Sequence, residues 1–124
     1  MLINVSGNGK KLIGSGTFNH VLNDLGYSEL LFNINGLRVK LITQTLAENN
    51  SKHQEILASV EDGVVVLRHH QRPSYAAEPA GMLIPMEIGS RGDKKIYISW
   101  LSFILTTNEG AKAASTTYSF YEDM

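Results

Sequence analysis

Cysteine is absent from this chain of 124 residues, which rules out disulfides, zinc–thiolate sites and thiol catalysis and is compatible with a reducing compartment. An excess of one charge is lacking too. Eleven basic and twelve acidic side chains leave a formal charge of −1, so nothing in the balance marks a polyanion such as nucleic acid as a partner. Long apolar runs are missing as well. The longest apolar-rich stretch, Ile96 to Leu105, is far too short for a membrane-spanning helix and is broken by Ser99 and Ser102. Met1 to Val5 is apolar but interrupted by Asn4, too short for a signal-peptide core. The expectation is a cytoplasmic protein with no membrane partner. One domain over residues 1–124 is expected, since domains commonly run to ~100–150 residues. A chain of that size buries about two thirds of its unfolded surface, enough for a core without staples.

What is present is period-two patterning. From Ile96 to Leu105, Ile96, Ile98, Trp100 and Ile104 share one parity, and Tyr97, Leu101, Phe103 and Leu105 share the other. A strand shows alternate residues to opposite faces, so this one belongs inside a sheet or sandwich rather than at an edge. A short apolar strand from Met82 precedes it, separated by a turn at Ser90-Arg91-Gly92-Asp93.

Earlier in the chain, Leu2 to Ser6 reads as a strand closed by Gly7-Asn8-Gly9. Lys11 to Phe18 reads as another, with Gly14 and Gly16 suited to a bulge or a close backbone approach. Asn19 to Tyr27 is either one short helical turn, near 19–26, or a loop. Ser28 to Ile34 and Leu37 to Thr45 alternate around Asn35-Gly36, the strongest short-range hairpin signal. Ala47 to Lys52 is a polar loop. A second hairpin, His53 to His70, turns at Asp62-Gly63. Gln71 to Gly81 holds two of the three prolines and no periodicity, the mark of a long functional or mobile loop. Asn108 to Ala114 reads as a small-residue loop and Ser115 to Tyr121 as the last strand, Tyr118 and Phe120 facing together. The predicted fold is an all-β sandwich, immunoglobulin-like or related, of about eight or nine short antiparallel strands.

Ser15-Gly16-Thr17, Pro85-Met86-Glu87-Ile88-Gly89, the aliphatic and aromatic strand Ile96 to Phe103, and Tyr118-Ser119-Phe120-Tyr121 together resemble the pattern of a small bacterial β-domain family of unknown function. The chain departs from that pattern in Gln71 to Gly81, where members carry more asparagine and glycine. The resemblance implies one compact β domain and no assigned activity or catalytic residue.

Tests for chemistry are mostly negative. Gly9 to Ser15 has the first spacing of a phosphate-binding loop but serine in place of its lysine, and no helix follows. His20, His53, His69 and His70 lack the spacing that puts two imidazoles on one helical face, and adjacent His69 and His70 point to opposite faces of a strand. No Gly-x-Ser-x-Gly elbow is present. Glu87 reads as a strand carboxylate paired with a nearby basic residue, and Arg91-Gly92-Asp93 as a turn rather than an adhesion signal. No catalytic residue, metal or cofactor is predicted, and an enzyme is not expected.

Two binding surfaces are predicted instead. The preferred one is a protein-contact face, with Tyr97, Leu101 and Tyr121 as candidates, giving a non-enzymatic interaction module that self-associates as a homodimer. The alternative is a site for an anionic small molecule or nucleotide. Arg38 and Lys40 share one strand face, Arg68 and His70 another, and Arg72 and Tyr75 lie in the loop beyond. If those faces coincide they form a cationic patch beside an aromatic platform.

Overall fold

The computed structural model describes residues 9–21, 26–46, 54–71, 80–106, 110 and 112–124. These form eight strands: β1 (Lys10–Val21), β2 (Gly26–Ile34), β3 (Leu37–Thr45), β4 (Glu55–Glu61), β5 (Val64–Gln71), β6 (Ala80–Arg91), β7 (Lys94–Thr106) and β8 (Lys112–Asp123). They make two four-stranded sheets, β1-β8-β7-β6 (sheet A) and β2-β3-β5-β4 (sheet B), a β-sandwich with open edges.

The local turn chemistry sets the three hairpins. Asn35 and Gly36 both take positive φ (49° and 90°), as do Asp62 and Gly63 (52° and 77°), the requirement of type I′ turns. Gly92 alone is positive (63°) at the first position of the third two-residue turn, between Arg91 and Lys94. That turn holds the Arg-Gly-Asp sequence, and Arg91 Nη1 donates to Gly36 O at 3.0 Å, tying the turns of the two sheets together.

Several expectations are revised. β3 and β5 run parallel, from Arg38 beside Val64 to Thr45 beside Gln71, so the sandwich is not wholly antiparallel. Through this pairing the β4–β5 hairpin joins the sheet by β5, and β4 lies at the edge. The short helix expected near 19–26 has no helical residue among the described ones: β1 runs to Val21 and β2 starts at Gly26, and 22–25 lie outside the described residues. Extending β1 lets it pair with β8 down to Val21 and Ala113, which also draws β8 back to Lys112, inside the expected 108–114 loop. The predicted strand at 2–6, the 47–52 loop and all of 72–79 lie outside the described residues.

β7 lies between β6 and β8, the interior position its patterning predicts. Its even-numbered residues meet β3 and β5: Leu37, Val39, Leu41, Val65 and Leu67 of sheet B pack against Ile88, Ile96, Ile98, Tyr118 and Phe120 of sheet A. Each such side chain contributes about 1.5–3 kcal/mol by leaving water. Gly14 lies beside a bulge in β1 and so close to Ile34 that a Cβ would overlap its side chain, the close approach its sequence position suggests.

The two ends of the sandwich differ. The three two-residue turns lie at one end. At the other, Val21, Gly26, Thr45, Glu55, Gln71, Ala80, Thr106 and Lys112 all begin or end strands.

Candidate functional site

The predicted cationic residues converge in space but not in charge. Arg38, Lys40, Arg68 and His70 all lie on the outer face of sheet B, because parallel register sets Arg38 beside Val64 and Gln44 beside His70 with matching parity. Glu29, Glu55 and Glu61 share that face through their pairing with Ile42, His70 and Val64. Lys40 Nζ is 3.1 Å from Glu29 Oε1, and the Tyr27 hydroxyl also donates to Glu29. These two contacts hold the Glu29 carboxyl below its usual range. Three carboxylates interleaved with three permanent cations make a mixed face, not a cationic one. Arg72 and Tyr75 lie outside the described residues.

The predicted contact residues Tyr97, Leu101 and Tyr121 share the outer face of sheet A, with Tyr97 directly beside Tyr121. Here the structure revises their role. Tyr97 is 9% exposed and Tyr121 3%, so neither offers much surface, whereas Leu101 is half-buried. Lys10 lies over the Tyr97 ring, 4.5 Å from its centroid, and pairs with Asp123 at 3.1 Å. Tyr121 is engaged through its hydroxyl with Ser99 Oγ at 3.0 Å. Farther along β7 the same face opens, with Phe103 and Leu105 exposed and Val21 of β1 exposed in the same row as Leu105, across Ala113 of β8. Glu87 pairs with Lys95 at 3.7 Å, the structural role expected of it.

A third site has no counterpart among the predicted residues. On the core-facing parity, strand after strand changes from aliphatic to polar toward the end opposite the tight turns. β3 passes from Leu41 to Thr43 and Thr45, β5 from Leu67 to His69 and Gln71, β8 from Tyr118 to Thr116, β1 from Phe18 to His20 and β2 from Leu30 to Ser28. The result is a polar layer between the sheets. His20 Nε2 is 2.6 Å from Thr45 Oγ1 and its Nδ1 3.1 Å from Thr43 Oγ1, which in turn lies 2.6 Å from Ser28 Oγ. His69, fully buried, bridges Tyr118 and Gln54, and Ser102 Oγ meets Thr116 Oγ1 at 2.9 Å.

Burial decides the protonation of this layer. It lowers the His20 pKa, pushes that of His69 down to about 3 with help from the neighbouring His20 and His70, and raises that of the Tyr118 phenol. Near neutral pH the layer is therefore uncharged.

Beside it is a cavity of about 100 Å³. Phe18, Leu30 and Leu41 give it apolar walls; His20, Ser28, Thr43 and Gln71 give it polar ones. Gln71 is 1% exposed, and its Oε1 finds no hydrogen-bond donor among the described residues. The signal for this site is present in the chain, as polar residues on the core parity of strand ends, but it reads as ordinary strand fraying until the strands are brought together.

No family model, curated protein or solved structure matches this chain, so the resemblance to a small bacterial family rests on its short motifs alone. Among the described residues no cluster of three His, Asp or Glu is placed to hold a metal ion. No helix among them is long and apolar enough to cross a membrane.

Proposed function

We propose that the domain is a non-enzymatic interaction module that works through protein contacts and pairs with a second copy of itself. One observation carries this reading. Between the Tyr97–Tyr121 row and the far end of sheet A, the outer face presents Ser15, Thr17, Asn19 and Val21 of β1, Ala113, Ser115, Thr117 and Ser119 of β8, and Ser99, Leu101, Phe103 and Leu105 of β7, without a charge among them. Val21, Phe103 and Leu105 are exposed at its open end. A charge-depleted centre with exposed aromatic and aliphatic side chains is the composition of contact surfaces. An isologous pairing about a twofold axis is the simplest use of one such face.

Sedimentation at increasing protein concentration tests this. The expected result is a monomer–dimer equilibrium that Phe103→Ser together with Leu105→Lys shifts to monomer, without loss of fold, since both positions are exposed. A wild-type chain that stays monomeric at high concentration would count decisively against it. Binding of an anion on sheet B is the weaker reading, because Lys40 is already paired and the face carries three carboxylates.

A further inference from the structure

We propose that the cavity at the open end of the sandwich binds an uncharged ligand group bearing a hydroxyl or amide N–H, which donates to Gln71 Oε1 between the walls formed by Phe18 and Leu30. This inference does not rest on self-association.

The first support is Gln71 itself. A buried carboxamide oxygen without a donor is rare in native folds; Gln71, 1% exposed, has one with no donor among the described residues, and it lines a cavity rather than a packed interior. A ligand N–H or O–H placed there supplies what the fold leaves out. A neighbouring group suits the same ligand. Ser28, which lines the cavity, keeps acceptor capacity beyond its contact with Thr43.

The second support is the absence of charge. None of the described residues lining the cavity is Asp, Glu, Lys or Arg, so an ionised group inside would be desolvated with no counter-charge from them. This separates the cavity from the outer face of sheet B, where an anion would have to bind.

The third is size. About 100 Å³ is smaller than the ~150 Å³ cavity that takes up a benzene ring, which gives room for a primary amide or a hydroxymethyl group rather than a whole sugar ring. The ligand therefore inserts one terminal group, with its C–H surface against Phe18 and Leu30, and the rest of it stays outside.

Nuclear magnetic resonance titrations of the full chain with glycerol, D-glucose and acetamide, and with phosphate and acetate as charged comparators, test this. Saturable shifts confined to Ser28, Thr43, Gln71 and Thr116 are expected from an uncharged probe; response to the polyols or to acetamide identifies the donor as hydroxyl or amide. Gln71→Leu should weaken that binding at least tenfold. Leu30→Trp, at a half-exposed wall position and so unlike Gln71 in its demands on the fold, should block it. The proposal is overturned if no uncharged probe shifts these residues at concentrations to about 0.1 M, well above a millimolar Kd. It is equally overturned if only the anions do, or if a long-lived water beside Gln71 persists through every titration.

Discussion

The imidazole of His69, on β5, and the phenol of Tyr118, on β8, meet across the two sheets with Nδ1 and the hydroxyl oxygen 2.7 Å apart. The other ring nitrogen, Nε2, lies 2.7 Å from Gln54 Oε1. A carbonyl oxygen only accepts, so Nε2 carries the proton and Nδ1 is left to accept from Tyr118. The ring also meets Trp100 and Tyr118 edge-on, at centroid distances of 5.2 and 5.9 Å. One neutral tautomer is thereby specified, and protonation would reverse the Tyr118 contact, with Nδ1–H donating to the phenol oxygen.

Stability should fall with acid through this residue. The folded-state pKa of His69 lies at about 3 against 6.5 for the unfolded chain, so between those values the unfolded state binds a proton that the folded state refuses. The contribution is complete above about pH 6.5 and is lost as pH drops toward 3. Urea unfolding at several pH values should give a slope approaching 1.4 kcal/mol per pH unit in that window, and His69→Gln should flatten it.

Tyr118→Phe removes the donor and leaves Nδ1 of His69 buried without a partner. The expected cost is about 1–3 kcal/mol, read as a lower urea midpoint with an unchanged m value. An unaffected midpoint would mean that the hydrogen bond is not formed.

Gly89 sits at φ 148°, and a Cβ there would lie 2.9 Å from Val60 Cβ on β4. Gly89→Ala should destabilise by about 1–3 kcal/mol. Adding Val60→Ala removes only the Cγ2 contact at 3.0 Å and leaves Val60's Cβ position and backbone nitrogen, at 3.2 Å, in place, so the double variant should recover at most a small part of the loss.

Leu67 and Leu57 lie on neighbouring strands of sheet B but on opposite faces, Leu67 fully buried and Leu57 half-exposed. Leu67→Ala is expected to cost about 2–5 kcal/mol and Leu57→Ala less than about 1 kcal/mol in thermal or urea unfolding. Equal losses would place both faces of sheet B in contact with something.

Alternation made most of each strand readable on its own. Tyr118 and Phe120 face the core together, His69 and His70 part to opposite faces, and Asn35-Gly36 and Asp62-Gly63 turn where their backbone preferences demand. The cationic face does not form for a related reason: parity places Arg38, Lys40, Arg68 and His70 on one face, but the same two hairpins carry Glu29 of β2 and Glu55 and Glu61 of β4 onto it. The polar layer escaped notice because Thr43, His20, Gln71 and Thr116 are each unexceptional at a strand end. Their meaning comes from being at the same level between two sheets.

By itself the sequence determined the greater part of each described strand, its inward and outward faces and the three tight turns, because those follow from two-residue periodicity and the φ preferences of Asn, Asp and Gly. Tertiary structure alone decided that β5 pairs parallel with β3, that one end of the interior is polar and neutral, and that Gln71 is left beside a cavity. These depend on which strands become neighbours. That choice is made by the packing of whole faces against one another, residues far apart in the chain, and not by any short stretch of it.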